Sequence, residues 1–227
     1  NRKNELRNET NLAFFVRQTV LLDNKNLYMF IINGNLTEVV IPQQNNVIVY
    51  KNRNCHDIEA YGFGIKYILN RDKSIQRFVL MNCGVTGPFC NGNWLQPFEN
   101  KINKEKAVIC STICYRFSGI KYNPGYFNYI VNDSKVINLL LTVLINHRTK
   151  VDAINNGEYG ISKVLHKNGY KITSLVDNRI EGYRADRDNN INSYNLNSLV
   201  FVKTNWRSLD GINRDSLPLK NNEIMNY

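Results

Sequence analysis

No stretch of this chain is long and apolar enough to read as a membrane span. The longest apolar run, Val136 to Ile145, is interrupted by Asn138 and Thr142 and falls far short of the roughly 20 residues a span requires. Cysteine is scarce: Cys55, Cys83, Cys90, Cys110 and Cys114 make five, and no pair has CxxC spacing. The three histidines, His56, His147 and His166, complete no zinc-ligand pattern beside them. An odd number of cysteines spread over a long chain points to reduced thiols in an intracellular compartment. P-loop and GxGxxG fingerprints are both missing, which excludes the two commonest phosphate-cradling turns. No basic and apolar leader opens the chain. It begins at Asn1 rather than Met, so the expectation is a domain excised from a longer protein.

What is present is an ordinary globular composition with two biases. At 227 residues, 43% hydrophobic and 21% charged, the chain can bury a sizeable core and is not a wholly disordered polypeptide. Lys plus Arg is 29 against 19 for Asp plus Glu, a net charge of +10, which favours anionic partners. Asn accounts for 37 of the 227 residues. These are dispersed among apolar runs rather than clustered, as expected of an AT-rich genome and not of an aggregating tract.

The periodicity predicts an amphipathic helix over Leu6 to Leu22, with Leu12, Phe15, Val16 and Thr19 on one face. Strands are expected at Tyr28 to Ile32, Val47 to Tyr50, Phe78 to Met81, Val108 to Cys114, Tyr126 to Val131, Tyr170 to Val176 and Leu199 to Lys203. Helices are expected from an Asp57 cap to about Leu69, over Lys135 to Asn146, and over Glu158 to Lys167. Alternating strands and helices indicate an α/β sandwich with a largely parallel sheet in a single domain spanning 1–227. The polar segment 177–197 reads as a mobile loop.

In such sheets ligands bind beyond the carboxyl ends of the strands, which selects four segments. Arg53-Asn54-Cys55-His56-Asp57 lies between a strand and a helix. Asp57 there is either a helix cap or an acceptor for a ribose or base edge. Asn82-Cys83-Gly84-Val85-Thr86-Gly87-Pro88-Phe89 follows a buried strand and reads as a tight turn that a ligand can approach. Asn156-Gly157-Glu158-Tyr159-Gly160 opens a helix with Glu158, either a solvated first-turn carboxylate or a general base. Phe201-Val202-Lys203-Thr204-Asn205-Trp206-Arg207 places cations past a strand end, where they can neutralise a diphosphate.

Taken in order, these segments resemble polysaccharide glycosyltransferases of the rhamnan-synthesis F type and their relatives in bacteria, fungi and large DNA viruses. The likeness rests on Asn54, Asp57, Ala60, Tyr61 and Gly62, then MNCGVTGPF, a Trp at Trp94, GEYGIS with GYKI, and LVFVKTN, from about Leu12 to Arg207. More distantly the chain is similar to family 2 inverting glycosyltransferases of the GT-A fold. The resemblance implies a GT-A-like three-layer α/β/α sandwich with a mostly parallel, mixed sheet. It implies transfer of a sugar from a nucleotide-diphosphate donor to a hydroxyl of a glycan or glycoprotein acceptor, with inversion.

By the same resemblance, Glu158 is the general base. Arg53, Asn54, Asp57, Asn82, Gly84, Gly87, Lys203, Asn205 and Arg207 line the donor site. The AT-rich composition together with this resemblance implies a giant virus or a protist as the source, with glycan or capsid-glycan assembly in the host cytoplasm or a virion. Asn82-Cys83-Gly84 occupies the place of the Asp-x-Asp metal motif without a carboxylate, which argues against Mg²⁺ or Mn²⁺ coordination there. Leaving-group charge then falls to Lys, Arg and backbone N–H groups. Asp133 is a further polar contact by position. The rival readings are an inactive glycan-binding domain of the same fold and a basic single-strand-binding module. The scattered positive charge speaks against nucleic acid.

Overall fold

The computed structural model describes residues 11–34, 39–51, 55–89, 92–110, 114–115, 121–122, 127–175 and 200–203. A helix over residues 11–18 (α1) runs into one 3-10 turn, Val20–Leu22. Strands β1 (Tyr28–Ile32) and β2 (Val47–Lys51) precede α2 (Asp57–Arg71), β3 (Arg77–Met81), β4 (Val85–Thr86) and the short α3 (Gln96–Glu99). There follow β5 (Lys106–Cys110), β6 (Cys114–Tyr115), β7 (Lys121–Tyr122), β8 (Phe127–Val131) and α4 (Ser134–Leu141). Helix α5 (Lys150–Asp152) passes through a π-helical segment, Ala153–Glu158, into α6 (Tyr159–Lys167), and β9 (Lys171–Ser174) and β10 (Val202–Lys203) complete the described elements.

The main sheet has four strands in the order β3-β8-β5-β9. Strands β3 and β5 each lie antiparallel to β8, while β9 lies parallel to β5. Three strands therefore run one way and only β8 opposes them. The expected largely parallel sheet is mixed. Met81, Cys110 and Ser174, the last residues of β3, β5 and β9, mark one edge, and Phe127 at the start of β8 pairs with Met81 there. A separate two-stranded sheet pairs β1 with β2 in parallel.

Period-two alternation splits the strand side chains between two cores. Phe78, Leu80, Val108, Ile130 and Ile172 pack with Ile58, Ile65 and Ile68 of α2, Val136 and Leu140 of α4, and Ile161 and Leu165 of α6. Ile109, Phe127 and Tyr129 face the other way, onto Phe15 and Val16 of α1, Trp94, Phe98 and Phe201. That second core is aromatic. Trp94 meets Phe201 edge-on at 5.3 Å, and Phe127 stacks on Phe201 at 4.7 Å. The small parallel sheet feeds both layers, Tyr28 joining the aromatic core and Met29 the aliphatic one.

Helix α2 forms where its apolar spacing predicts. Ile58, Tyr61, Ile65 and Ile68 share the buried face, acidic Asp57 and Glu59 lie in the first turn, and Arg71 lies in the last. Several boundaries differ from expectation. The fourth expected strand divides, β5 ending at Cys110 and Cys114–Tyr115 pairing instead with β7. Helix α4 stops at Leu141 because Thr142 turns back on Leu139, its Oγ1 donating to that carbonyl at 2.7 Å. The expected helix residues 6–10, the loop 177–197 and most of the strand from Leu199 lie outside the described residues or reduce to Val202–Lys203.

Candidate functional site

Asn82, the first residue beyond β3, ties the carboxyl edge of the sheet together. Its Nδ2 donates to Asp57 Oδ2 at 3.0 Å, and its Oδ1 accepts from the Gly84 backbone N–H at 3.1 Å. The second bond closes the turn after the strand. Asp57 does not cap α2. His56 holds the N-cap position and Asp57 is the first helical residue, where its exposed carboxylate lies in the favourable field of the helix start. The turn is fixed from beneath by Asn11, whose Nδ2 donates to the Cys83 carbonyl at 3.0 Å and whose Oδ1 accepts from the Thr86 hydroxyl. Asn11 had no place among the expected site residues. It lies one helical turn before Phe15 on the buried face, and that spacing was the available signal.

The helix expected over Glu158 to Lys167 is present as α6 (Tyr159–Lys167), with Glu158 at its N-cap position, but it continues an earlier helical run. The helical run starts at Lys150, with Thr149 Oγ1 accepting from the Asp152 N–H at 3.1 Å as its cap. It loosens into π geometry over Ala153–Glu158 before α6 begins. Glu158 is thus the last residue of a π-helical segment, a feature frequent at functional sites because it re-aims side chains. That segment packs on the first turn of α2. A Cβ added at Gly157 would stand 2.8 Å from Ile58 Cγ2 and 3.0 Å from His147 Nε2, so only glycine fits there. Asp152 holds the segment's start, its Oδ1 accepting from Asn156 Nδ2 at 2.6 Å and its Oδ2 lying 3.2 Å from His147 Nδ1. The buried His147 also meets the Val143 carbonyl through Nε2 at 3.1 Å.

Asp57 on α2 and Asn82 after β3 therefore meet, and the π segment that carries Glu158 packs on the same turn of α2 through Gly157 and Ile58. Tyr61, one turn after Asp57, carries the electrostatic record of this. Burial pushes its hydroxyl well above 10, and the charges of Asp57, Glu158 and Cys83 act in the same direction. The Cys83 thiol, on the exposed rim of the turn, is pushed up by desolvation and then by Asp57. The cluster is electronegative, suited to accepting hydrogen bonds from hydroxyl groups.

Gly87 is closely packed. Its φ of +145° is one that L side chains rarely adopt, and a Cβ would meet the Val200 carbonyl and stand 2.6 Å from Phe201 Cδ1. Gly84 is likewise buried, with its N–H committed to Asn82. The same close approach seats β10 against β4, Val202 opposite Thr86 and Lys203 opposite Val85. Lys203 is thereby carried by its backbone to the turn that Asn82 begins. Arg53, Asn54, Asn205 and Arg207 lie outside the described residues.

Asp133 sits elsewhere. It is the N-cap of α4, its Oδ1 accepting from the N–H groups of Lys135 and Val136 at 2.9 and 3.0 Å. Because β8 opposes β3, Val131 pairs with Arg77, and the residues after β8 emerge at the edge opposite Asn82. Among the described residues, no cluster of three His, Cys, Asp or Glu side chains is arranged to hold a metal ion. None of the described helices is long and apolar enough to cross a membrane. Compared with known proteins, the chain matches no protein-family model, no curated protein and no solved structure.

Proposed function

We propose that this chain is a GT-A-like glycosyltransferase that moves a sugar from a nucleotide-diphosphate donor to an acceptor hydroxyl, with inversion. The observation that carries the reading is the meeting of Asp57, Asn82 and the Glu158-bearing π segment at the carboxyl edge of β3. This is the edge where open α/β sheets take ligands. The mixed four-stranded sheet, with helices on one face and α1 with the aromatic layer on the other, is compatible with a three-layer GT-A-like sandwich. So is the small parallel sheet that feeds the same two cores.

In this reading Glu158 is the general base that takes the proton of the attacking hydroxyl. Asp57, fixed by Asn82, accepts hydrogen bonds from donor hydroxyls. The Asn82-Cys83-Gly84 turn offers a divalent metal no carboxylate, and the Asn82 amide is engaged by Gly84 and Asp57. The departing diphosphate is assigned to the basic segment that begins at Lys203, which β10 brings beside Val85.

The test is release of nucleoside diphosphate from a panel of nucleotide sugars by the wild type and by Glu158→Gln. The reading expects turnover to fall at least about 100-fold in the variant, with nucleotide binding retained. Undiminished turnover in the variant would remove Glu158 from the mechanism. The carboxylate-free turn at Asn82-Cys83-Gly84 keeps a second reading in view, a glycan-binding domain of the same fold without activity. That reading expects sugar binding and no turnover by the wild type.

A further inference from the structure

The chain that joins α4 to α5 presents a tip that is both apolar and cationic. An exposed aliphatic side chain by itself is ordinary. Here Ile145, 47% exposed, and Val151, 66% exposed, bracket the exposed cations Arg148 and Lys150. Neither cation has an ion-pair partner among the described residues. The one carboxylate of the stretch, Asp152, is taken up by Asn156 and by the buried His147. The tip is held in shape from within. Leu144 and His147 are buried between exposed neighbours. His147 meets the Val143 carbonyl through Nε2 at 3.1 Å and Asp152 Oδ2 through Nδ1 at 3.2 Å, and the Thr149 hydroxyl caps the start of α5. With those side chains turned inward, Ile145, Arg148, Lys150 and Val151 are left to the solvent. The tip also adjoins the candidate site. Helix α5 runs directly into the π segment, and a Cβ at Gly157 would stand 3.0 Å from His147 Nε2.

We propose that this tip docks the site-bearing edge of the protein on an anionic lipid surface. Ile145 and Val151 enter the boundary between headgroups and acyl chains, while Arg148 and Lys150 meet the anionic headgroups. The pairing of exposed aliphatics with uncompensated cations selects this partner. A nucleic acid would engage the cations and leave the aliphatics in water, and an apolar protein groove would take the aliphatics and leave the cations without counter-charge. The net charge of +10 draws the chain toward the same kind of surface. Such docking is peripheral and reversible, and it requires no spanning helix. The inference goes beyond the transferase reading and does not depend on it, since the docked edge is the same whatever reaction takes place there.

The experiment is co-sedimentation of the protein with vesicles of phosphatidylcholine alone and of phosphatidylcholine mixed with phosphatidylserine, at low and at physiological salt, with no nucleotide sugar present. The proposal expects binding to the mixed vesicles and not to the neutral ones, weakened as salt rises. Arg148→Gln with Lys150→Gln should weaken binding about 25-fold, at about 5-fold for each charge. Ile145→Ser with Val151→Ser should weaken it at least about 10-fold. Both pairs should melt at the wild-type temperature, because all four side chains are exposed. Leu21→Ser with Leu22→Ser, at exposed apolar positions elsewhere, should leave vesicle binding unchanged. Equal binding to neutral vesicles, binding that neither tip pair weakens, or no binding to either kind of vesicle overturns the proposal. So does self-association that the serine pair at the tip abolishes, found in place of vesicle binding, which would give the tip to a second copy of this chain. Each of these outcomes leaves the transferase reading to be decided by turnover alone.

Discussion

The carboxylate of Asp57 and the amide of Asn82 meet at 3.0 Å, Nδ2 donating to Oδ2, although 25 positions separate them in the chain. This contact locks the first turn of α2 to the turn that follows β3. It also engages the one amide side chain of the Asn82-Cys83-Gly84 turn. Asp57 is exposed, so its carboxylate retains lone pairs for further hydrogen bonds.

Replacing the amide by a second carboxylate tests that contact. In Asn82→Asp the introduced group lies against Asp57, and two like charges at hydrogen-bond distance cannot both ionise without cost. One carboxyl of the pair takes a raised pKa in the folded state. The stability it supports is complete below the ordinary aspartate range and is lost as pH rises through the raised value. The variant should match the wild type in acid and trail it by about 1 kcal/mol at neutral pH, read from denaturant unfolding at several pH values.

A methyl group at Gly157 has nowhere to go. It would stand 2.8 Å from Ile58 Cγ2 and 3.0 Å from His147 Nε2, contacts that force the π segment away from α2. Gly157→Ala should lower stability by about 1–3 kcal/mol and, by displacing Glu158, should reduce turnover by more than the loss of folded protein explains. Alanine at the exposed neighbour Asn155 should do neither. Thermal melts and specific activity on matched samples decide this.

Acid should loosen the start of the π segment. Asp152 is held below its ordinary 3.8 by the hydrogen bond from Asn156, with His147 acting in the same direction and desolvation opposing. A carboxyl whose folded pKa is lowered contributes stability above its ordinary value, and that contribution is lost as pH falls through the folded one. The melting temperature of Asp152→Asn should therefore converge on that of the wild type as pH drops below about 4, and lie beneath it at neutral pH.

The strands were legible where apolar runs are bounded by turn residues, as at Tyr28–Ile32 and Arg77–Met81. So was α2, whose buried stripe is carried by Ile58, Tyr61, Ile65 and Ile68. Strand direction was not, because alternation is the same read either way. That is why Asp133 was expected near the site and lies at the far edge, after a strand that opposes β3. The helix from Glu158 was legible as α6 (Tyr159–Lys167), but the helical run from Lys150 that leads into it was not. Asn155-Asn156-Gly157 has the composition of a breaker, and here it is accommodated by π geometry, with Gly157 chosen by the approach of Ile58. Thr149 with Asp152 three residues on was the cap that could have revealed it.

The central claim is that the edge bearing Asp57, Asn82 and Glu158 takes a nucleotide sugar, and direct binding tests it best. Calorimetric titration of the protein with UDP, GDP, dTDP and CMP, with and without Mn²⁺ and beside a short single-stranded oligonucleotide, is the measurement. The account predicts saturable binding of one nucleotide, undiminished without metal and weakened by Asp57→Ala. Silence toward all four nucleotides, with salt-sensitive binding of the oligonucleotide in their place, would contradict it.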